Sequence, residues 1–328
     1  MNSLLGLLQL LLLAFGLFSV GGAVLVALVY PAMRSRVTKL SPAPRARVLR
    51  MICSAPLLGA LVLAGVCLLP SMLAAFWPQL DHCLTHPGHV HICLIHPPAR
   101  SGGLLGWPVV GGLLLYMVSG SAALGWRARS AARSLHGLTR SAQYEPALGV
   151  FRLDSTLPLC VAQGLLWPRI ILSTAISEAL PDTLLRVVLA HEREHIRRRD
   201  GLWHLGASLC ALAHVPSVRH QLLVDLALAS ELACDEHAAA VAEDRLTVAG
   251  ALLRVERMLT EHARLPGLAP AFGGSDVAAR VESLLGEPAT RSLRGRGVAV
   301  VVALLAVCIL PFTEWHHWTE TLLGLLVR

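Results

Sequence analysis

The sequence predicts a multi-span α-helical membrane protein, with four transmembrane helices and an inserted, mainly helical α+β domain. Three observations carry that prediction. Hydrophobic residues make up 55% of the 328-residue chain and the mean hydropathy is +0.61, more apolar than a soluble domain of ordinary composition. Apolar runs long enough to cross a bilayer occupy about 4–30, 51–77 and 104–126. A fourth run, Gly297–Phe312 (GVAVVVALLAVCILPF), is short and crosses only where the bilayer thins or the flanks stretch. Finally, the Lys and Arg residues collect in alternate connections between these runs.

The first run has no basic leader and is longer than the apolar core of a cleaved signal, so it is read as a retained span. Arg34, Arg36, Lys39, Arg45, Arg47 and Arg50 follow it, whereas the outer loop 78–103 after the second span carries only Arg100. Arg127, Arg129, Arg133 and Arg140 follow the third span, and Arg291, Arg294 and Arg296 precede the fourth. Positive charge marks the cytoplasmic side. The expected layout is a three-span membrane region (1–127) with the N-terminus outside, then a cytoplasmic domain (128–295). The fourth span (296–312) and a short outer tail (313–328) complete it. The net charge of +7 therefore sits beside the spans, which predicts a lipid bilayer as partner and no direct nucleic-acid binding.

The outer loop contains DHCLTHPGHVHICLIHPPAR, in which His82, His86, His89, His91 and His96 surround Cys83 and Cys93. In an oxidising compartment Cys83 and Cys93 could close a disulfide; the histidines equally suit a metal or small ligand. The cytoplasmic Cys160, Cys210 and Cys234 are expected to be reduced.

Within 128–295, residues 151–174 are rich in β-branched and apolar residues, punctuated by Gly164 and Pro168, and read as two or three short strands. A helix follows, starting at Pro181-Asp182 and stopping at Gly201, and others cover 222–242, 247–259 and 277–286. The first of these helices carries VVLAHEREHIRRRD (187–200). Residues four apart share one helical face, so His191 and His195 can meet one metal ion while Glu192 lies beside it. Hydrolytic zinc sites need three protein ligands and an open position for water; the ion acidifies that water and a carboxylate takes its proton. The missing third ligand is sought on another helix, where SELACDE supplies Glu231, with Glu236 as the alternative. Asp235, four residues after Glu231, is placed to hydrogen-bond a ligand imidazole. The basic run Arg197–Arg199 reads as a solvated or membrane-facing patch with Asp200 paired to one of its arginines, and His204, His214, His220 and His237 as core or surface histidines.

HEREHIRRRD followed by SELACDEHA resembles the membrane metallopeptidases of the β-lactam sensor-transducer (BlaR/MecR-type) family. The resemblance covers about residues 1–312 and implies a gluzincin-like zinc peptidase domain in the cytoplasm between the third and fourth spans of a bacterial inner-membrane protein. It implies Zn²⁺ on His191, His195 and Glu231, with Glu192 as general base. GLLWPRIILST, and within it Pro168, Arg169, Ile170 and Ile171, resembles the edge strand that holds an extended substrate by β-augmentation. The substrate implied is a protein, either a cytoplasmic repressor or the chain itself, with oligomerisation left open. The sequence departs from the antibiotic receptors, which carry a large penicillin-binding sensor after the fourth span where this one has about 16 residues. The expectation is thus a signalling peptidase without β-lactam sensing. Its rivals are a membrane quality-control metalloprotease and a non-catalytic zinc-binding receptor or scaffold.

Overall fold

The computed structural model describes residues 2–80, 92–95, 106–263, 277–287 and 312–327. Three long helices open the chain: α1 (Asn2–Thr38), α2 (Pro42–Phe76) and α3 (Gly106–Thr139). Within them Leu4–Thr38, Pro42–Phe76 and Gly106–Arg133 are long and apolar enough to cross a membrane. Each helix runs beyond its expected apolar span because the backbone hydrogen bonding continues through the basic flank. The turn between α1 and α2 is set by Ser41 and Pro42, the latter preorganised for a first helical turn. A Cβ on Gly22 would lie 3.1 Å from the Pro56 Cα, a close approach of two helices of the kind that small residues allow in lipid. The expected fourth span, Gly297–Phe312, lies outside the described residues except for Phe312 itself, as do Cys83 and all five loop histidines. The Cys83–Cys93 pairing is therefore not described.

A four-stranded sheet follows: β1 (Gln143–Glu145), β2 (Val150–Leu153), β3 (Cys160–Gln163) and β4 (Arg169–Ser173), in the order β1-β2-β4-β3. β4 pairs in parallel with β2 and antiparallel with β3. This corrects the expectation that Pro168–Ile171 forms an edge strand. Ile170, Ile171, Leu172 and Ser173 are all buried, so β4 takes the position covered on both sides. β3 is half-buried throughout and forms the edge.

The remaining elements are helical: α4 (Thr174–Ala179), α5 (Asp182–Arg198), α6 (Asp200–Cys210), α7 (Pro216–Ala242), α8 (Arg245–Ala263), α9 (Val277–Leu285) and α10 (Phe312–Val327). The break between α5 and α6 falls at Arg199, in the left-handed region with φ 54°, and Gly201, the expected stop, lies inside α6. Most of the residues expected to form a short outer tail fold as α10. Its buried face, His316, Thr319, Glu320 and Leu323, packs with Leu7, Leu10 and Cys67 of α1 and α2. Glu320 accepts the backbone N–H of Ile92 at 2.8 Å, tying the connection between α2 and α3 to that helix.

The helical domain is joined directly to the membrane helices. Tyr30, Val37, Ala46, Leu49 and Cys53 of α1 and α2 share one core with Ala207, Val218, Leu222, Leu226 and Ala229 of α6 and α7. The corner between α6 and α7 reaches α3, where the Tyr116 hydroxyl donates to the Leu212 carbonyl at 3.0 Å. At the same corner the His214 Nε2 lies 3.1 Å from the Cys53 carbonyl. Asp225 of α7 accepts from the Tyr30 hydroxyl at 2.6 Å and from Arg34 at 2.7 and 2.8 Å. Burial pushes the Asp225 carboxyl up, but Arg34 and Tyr30 outweigh it and hold it below its ordinary value of 3.8. Such a group stabilises the fold above its unfolded value, and the contribution is lost as pH falls through the lower folded value. Asp225→Asn should cost on the order of 2 kcal/mol in denaturant unfolding in detergent, less than a sealed pair because Arg34 stays 44% exposed. The loss should vanish in strong acid, and an unchanged midpoint at neutral pH would show that this junction contributes nothing.

Candidate metal centre

The helical periodicity of α5 stacks His191 and His195 on one face, with ring centroids 4.8 Å apart. Their Nε2 atoms are 3.2 Å apart. Glu231 of α7 completes the group: its Oε2 is 3.4 Å from His191 Nε2 and its Oε1 is 3.5 Å from His195 Nε2. The far nitrogen of each ring is occupied. His191 Nδ1 lies 2.9 Å from Asp235 Oδ1, and His195 Nδ1 lies 3.0 Å from Asp200 Oδ2. An imidazole whose Nδ1–H donates to a carboxylate presents a bare lone pair at Nε2. Two lone pairs facing each other at hydrogen-bond distance, with a carboxylate beside them, repel unless a cation sits among them. The donor set therefore fits a divalent metal ion, and these three residues form a group whose ligand atoms all lie within 4.8 Å of one another.

The two carboxylates behind the rings are themselves neutralised. Asp235, 2% exposed, is held by Arg280 of α9 through Nε–Oδ2 at 2.8 Å and Nη2–Oδ1 at 2.6 Å. The same guanidinium reaches Glu231 Oε2 at 3.0 Å. Asp200, equally buried, meets Arg198 at 3.1 Å and Arg50 of α2 at 3.6 Å. Burial raises Asp235, Asp200 and Glu231, but their imidazole and arginine partners outweigh it and hold all three below the ordinary carboxylate range. Conversely, burial disfavours the charged rings, yet the surrounding carboxylates raise both His191 and His195. The site is built to hold positive charge.

Glu192 stands apart from this set. Its Oε2 accepts the Ala162 N–H of β3 at 2.7 Å, and burial, only partly offset by the two rings, raises its carboxyl above the usual value. Glu192, His191, His195, Glu231 and Asp235 line one cavity of about 580 Å³, together with Cys160–Ala162 of β3, Gly164, Leu165 and Pro168. Arg169, Ile170 and Ile171 do not line it. The wall beside Glu192 is thus the free edge of β3. Glu236, the alternative ligand, is drawn away by Arg245 at 2.8 Å. Cys234 joins His195 and Asp200 in a second close group. Burial pushes its thiol up to about 11, so it stays protonated and donates to Asp200 at 3.8 Å.

Sequence reasoning singled out His191, Glu192, His195, Glu231 and Asp235, and the structure brings all five to one cavity. It missed Arg280, paired only with the neighbouring arginines an Asp200 that also holds His195, and left His204, which lines the cavity and bonds Ser230 at 3.1 Å, among the ordinary histidines.

A helical chain with candidate apolar spans, a histidine–carboxylate centre and a facing strand edge has the parts of a membrane metallopeptidase. Residues 104–284, more than half of the sequence, match the model of the BlaR1 peptidase M56 family, and the chain belongs to that family. No curated protein and no solved structure matches it significantly.

Arg280→Gln should weaken divalent-metal binding by about 10–100-fold, the usual effect of removing a group that orients ligands, read by competition with a chromophoric chelator. Because the surrounding carboxylates raise both rings, protons compete with the metal at Nε2, and affinity should fall as pH is lowered. Unchanged affinity in the variant would show that the guanidinium does not set the ligand geometry.

Proposed function

We propose that this chain is a zinc-dependent endopeptidase of gluzincin type, in which His191, His195 and Glu231 hold Zn²⁺ and Glu192 is the general base. The observation that carries the reading is the pair of facing Nε2 atoms beside Glu231, each ring fixed from behind by a carboxylate, in one cavity with Glu192. When bound, the ion acidifies a water and polarises the scissile carbonyl. Glu192 takes the proton of the attacking water as its oxygen adds to the peptide carbon, and returns that proton to the leaving nitrogen. Its raised carboxyl suits that task, since a base works best near the ambient pH. The β3 edge offers backbone groups to an extended substrate beside Glu192, in the manner of β-augmentation.

The pattern of arginines favours an inner-membrane protein with four spans, Gly297–Phe312 the last, and with the catalytic domain in the cytoplasm. The substrate in this reading is a cytoplasmic or membrane-proximal protein, a repressor or the chain itself, cut as part of signalling. A quality-control protease would share the chemistry and differ in substrate. A purely structural zinc receptor has no use for a base in an open cavity.

Glu192→Gln should keep the metal and lower peptide hydrolysis by at least about 10²-fold. Fragments present in cells with the wild-type chain and missing with Glu192→Gln would identify the substrate. Cleavage persisting in the variant would overturn the assignment of the base.

A further inference from the structure

The turn between β3 and β4 presents three consecutive apolar side chains to the outside: Leu165, Leu166 and Trp167 are 43%, 66% and 80% exposed. Their direction is fixed by the backbone. Gly164 has φ +110°, and a Cβ there would stand 2.6 Å from the Trp167 carbonyl oxygen, so only glycine closes this turn. Pro168 stiffens its far side. We infer that this turn is inserted into the lipid–water interface and that the cleft takes polypeptide segments tethered to, or lying on, the membrane surface.

The argument for lipid as the occupant comes from the neighbouring helix. Gln163, the last residue of β3, shares a hollow with Trp126, Arg129, Ala132 and Arg133 of α3. That is the end of the candidate span Gly106–Arg133. Trp126 is 67% exposed, and the Arg133 guanidinium lies over its ring at 5.2 Å. An exposed tryptophan among arginines at the end of an apolar helix is the arrangement that sits at headgroup level. The turn therefore emerges where α3 leaves the bilayer. Arg127, Arg129 and Arg133 attract anionic headgroups to that place, and the leucines and Trp167 supply the apolar wedge.

The consequence for the substrate rests on the peptidase reading. Gly164, Leu165 and Pro168 line the same cavity as His191 and Glu192. The strand edge along which a substrate would lie is thus continuous with the inserted turn. A chain held at the membrane reaches that edge from a high local concentration, whereas a freely diffusing one does not.

Two measurements test this. In full-length Glu192→Gln protein in phosphatidylcholine–phosphatidylglycerol nanodiscs, a photo-crosslinking benzoylphenylalanine replaces Leu166 or, as control, Leu246. Leu246 is 65% exposed and follows the end of α7 remote from the membrane helices. Lipid adducts at 166 and few at 246 are expected. No lipid adduct at 166, or adducts to a second copy of the chain instead, would overturn the insertion. Wild type should cleave an N-myristoylated mixed-sequence peptide library at least about tenfold faster than its unacylated counterpart. The Leu166→Ser/Trp167→Ser variant should lose that preference while cleaving the unacylated library as before. Equal rates on both libraries in wild type would overturn the substrate class. Cleavage of neither would count against the peptidase reading, with the lipid adducts still deciding the insertion.

Discussion

Everything in this molecule turns on keeping two imidazole lone pairs pointed at each other. Left alone, His191 and His195 would rotate apart. They are held because Asp235 and Asp200 each occupy an Nδ1. Those carboxylates are buried, and a buried carboxylate without a countercharge is among the costliest things a fold can contain. Each is therefore met by an arginine from elsewhere: Arg280 from α9 for Asp235, Arg198 and Arg50 for Asp200. α5 supplies the rings and Arg198, α7 and α6 the carboxylates, and α9 and α2 the other two arginines. The site is a junction whose electrostatics close only when all these elements are in place.

The same reasoning explains why the domain is not a soluble unit hung between spans. Arg50 belongs to α2, a helix apolar enough to cross the membrane, and it also stacks on Trp203 at 5.4 Å. The corner of α6 and α7 packs against the three long helices, and they take up its polar groups. Tyr116 takes the Leu212 carbonyl. Gly120 leaves the room that Leu212 fills, since a Cβ there would stand 3.0 Å from the leucine. Asp225 then locks α7 to Tyr30 and Arg34 of α1. A displacement of α2 against α6 is a displacement of Arg50 against Asp200, and Asp200 holds a ring of the centre.

How much of this could be read in the sequence follows from the range of each interaction. His191 with His195, and Glu231 with Asp235, are pairs four apart on one helix, and helical periodicity makes such faces legible without a structure. Apolar runs and arginine flanks are local too, and three of them became the long helices. Arg280 is 45 residues from Asp235, and nothing in its surroundings announces a partner so distant. The edge strand was misplaced because interior and edge differ in pairing, which depends on the order of all four strands. α10 carries a buried face at 316, 319, 320 and 323, but three of those four residues are polar, so the periodicity does not show in hydropathy. The corner at 211–214 has no local signature, because its partners, Cys53 and Tyr116, lie far away in sequence.

Burial separates the carboxylates behind the rings from the three candidate metal ligands. Asp235 and Asp200 have side-chain exposures of 2% and 4%, while His191, His195 and Glu231 stand at 12%, 18% and 27%. A structural metal site would seal its ligands, since water at the ion serves no purpose there. Here the order is reversed: the orienting carboxylates are sealed and the ligand atoms open into the cavity that β3 borders. Sealing the former keeps water from competing for the Nδ1–H groups, which is where ring orientation is decided. Opening the latter leaves one approach free, and Glu192 stands on that approach with its carboxyl held by the Ala162 amide. A backbone N–H fixes one oxygen of the carboxylate and leaves the other to accept a proton. In the proposed peptidase reading, an extended chain pairing with β3 would come in along the strand that carries this amide, so strand pairing and the placement of the base would share one peptide group.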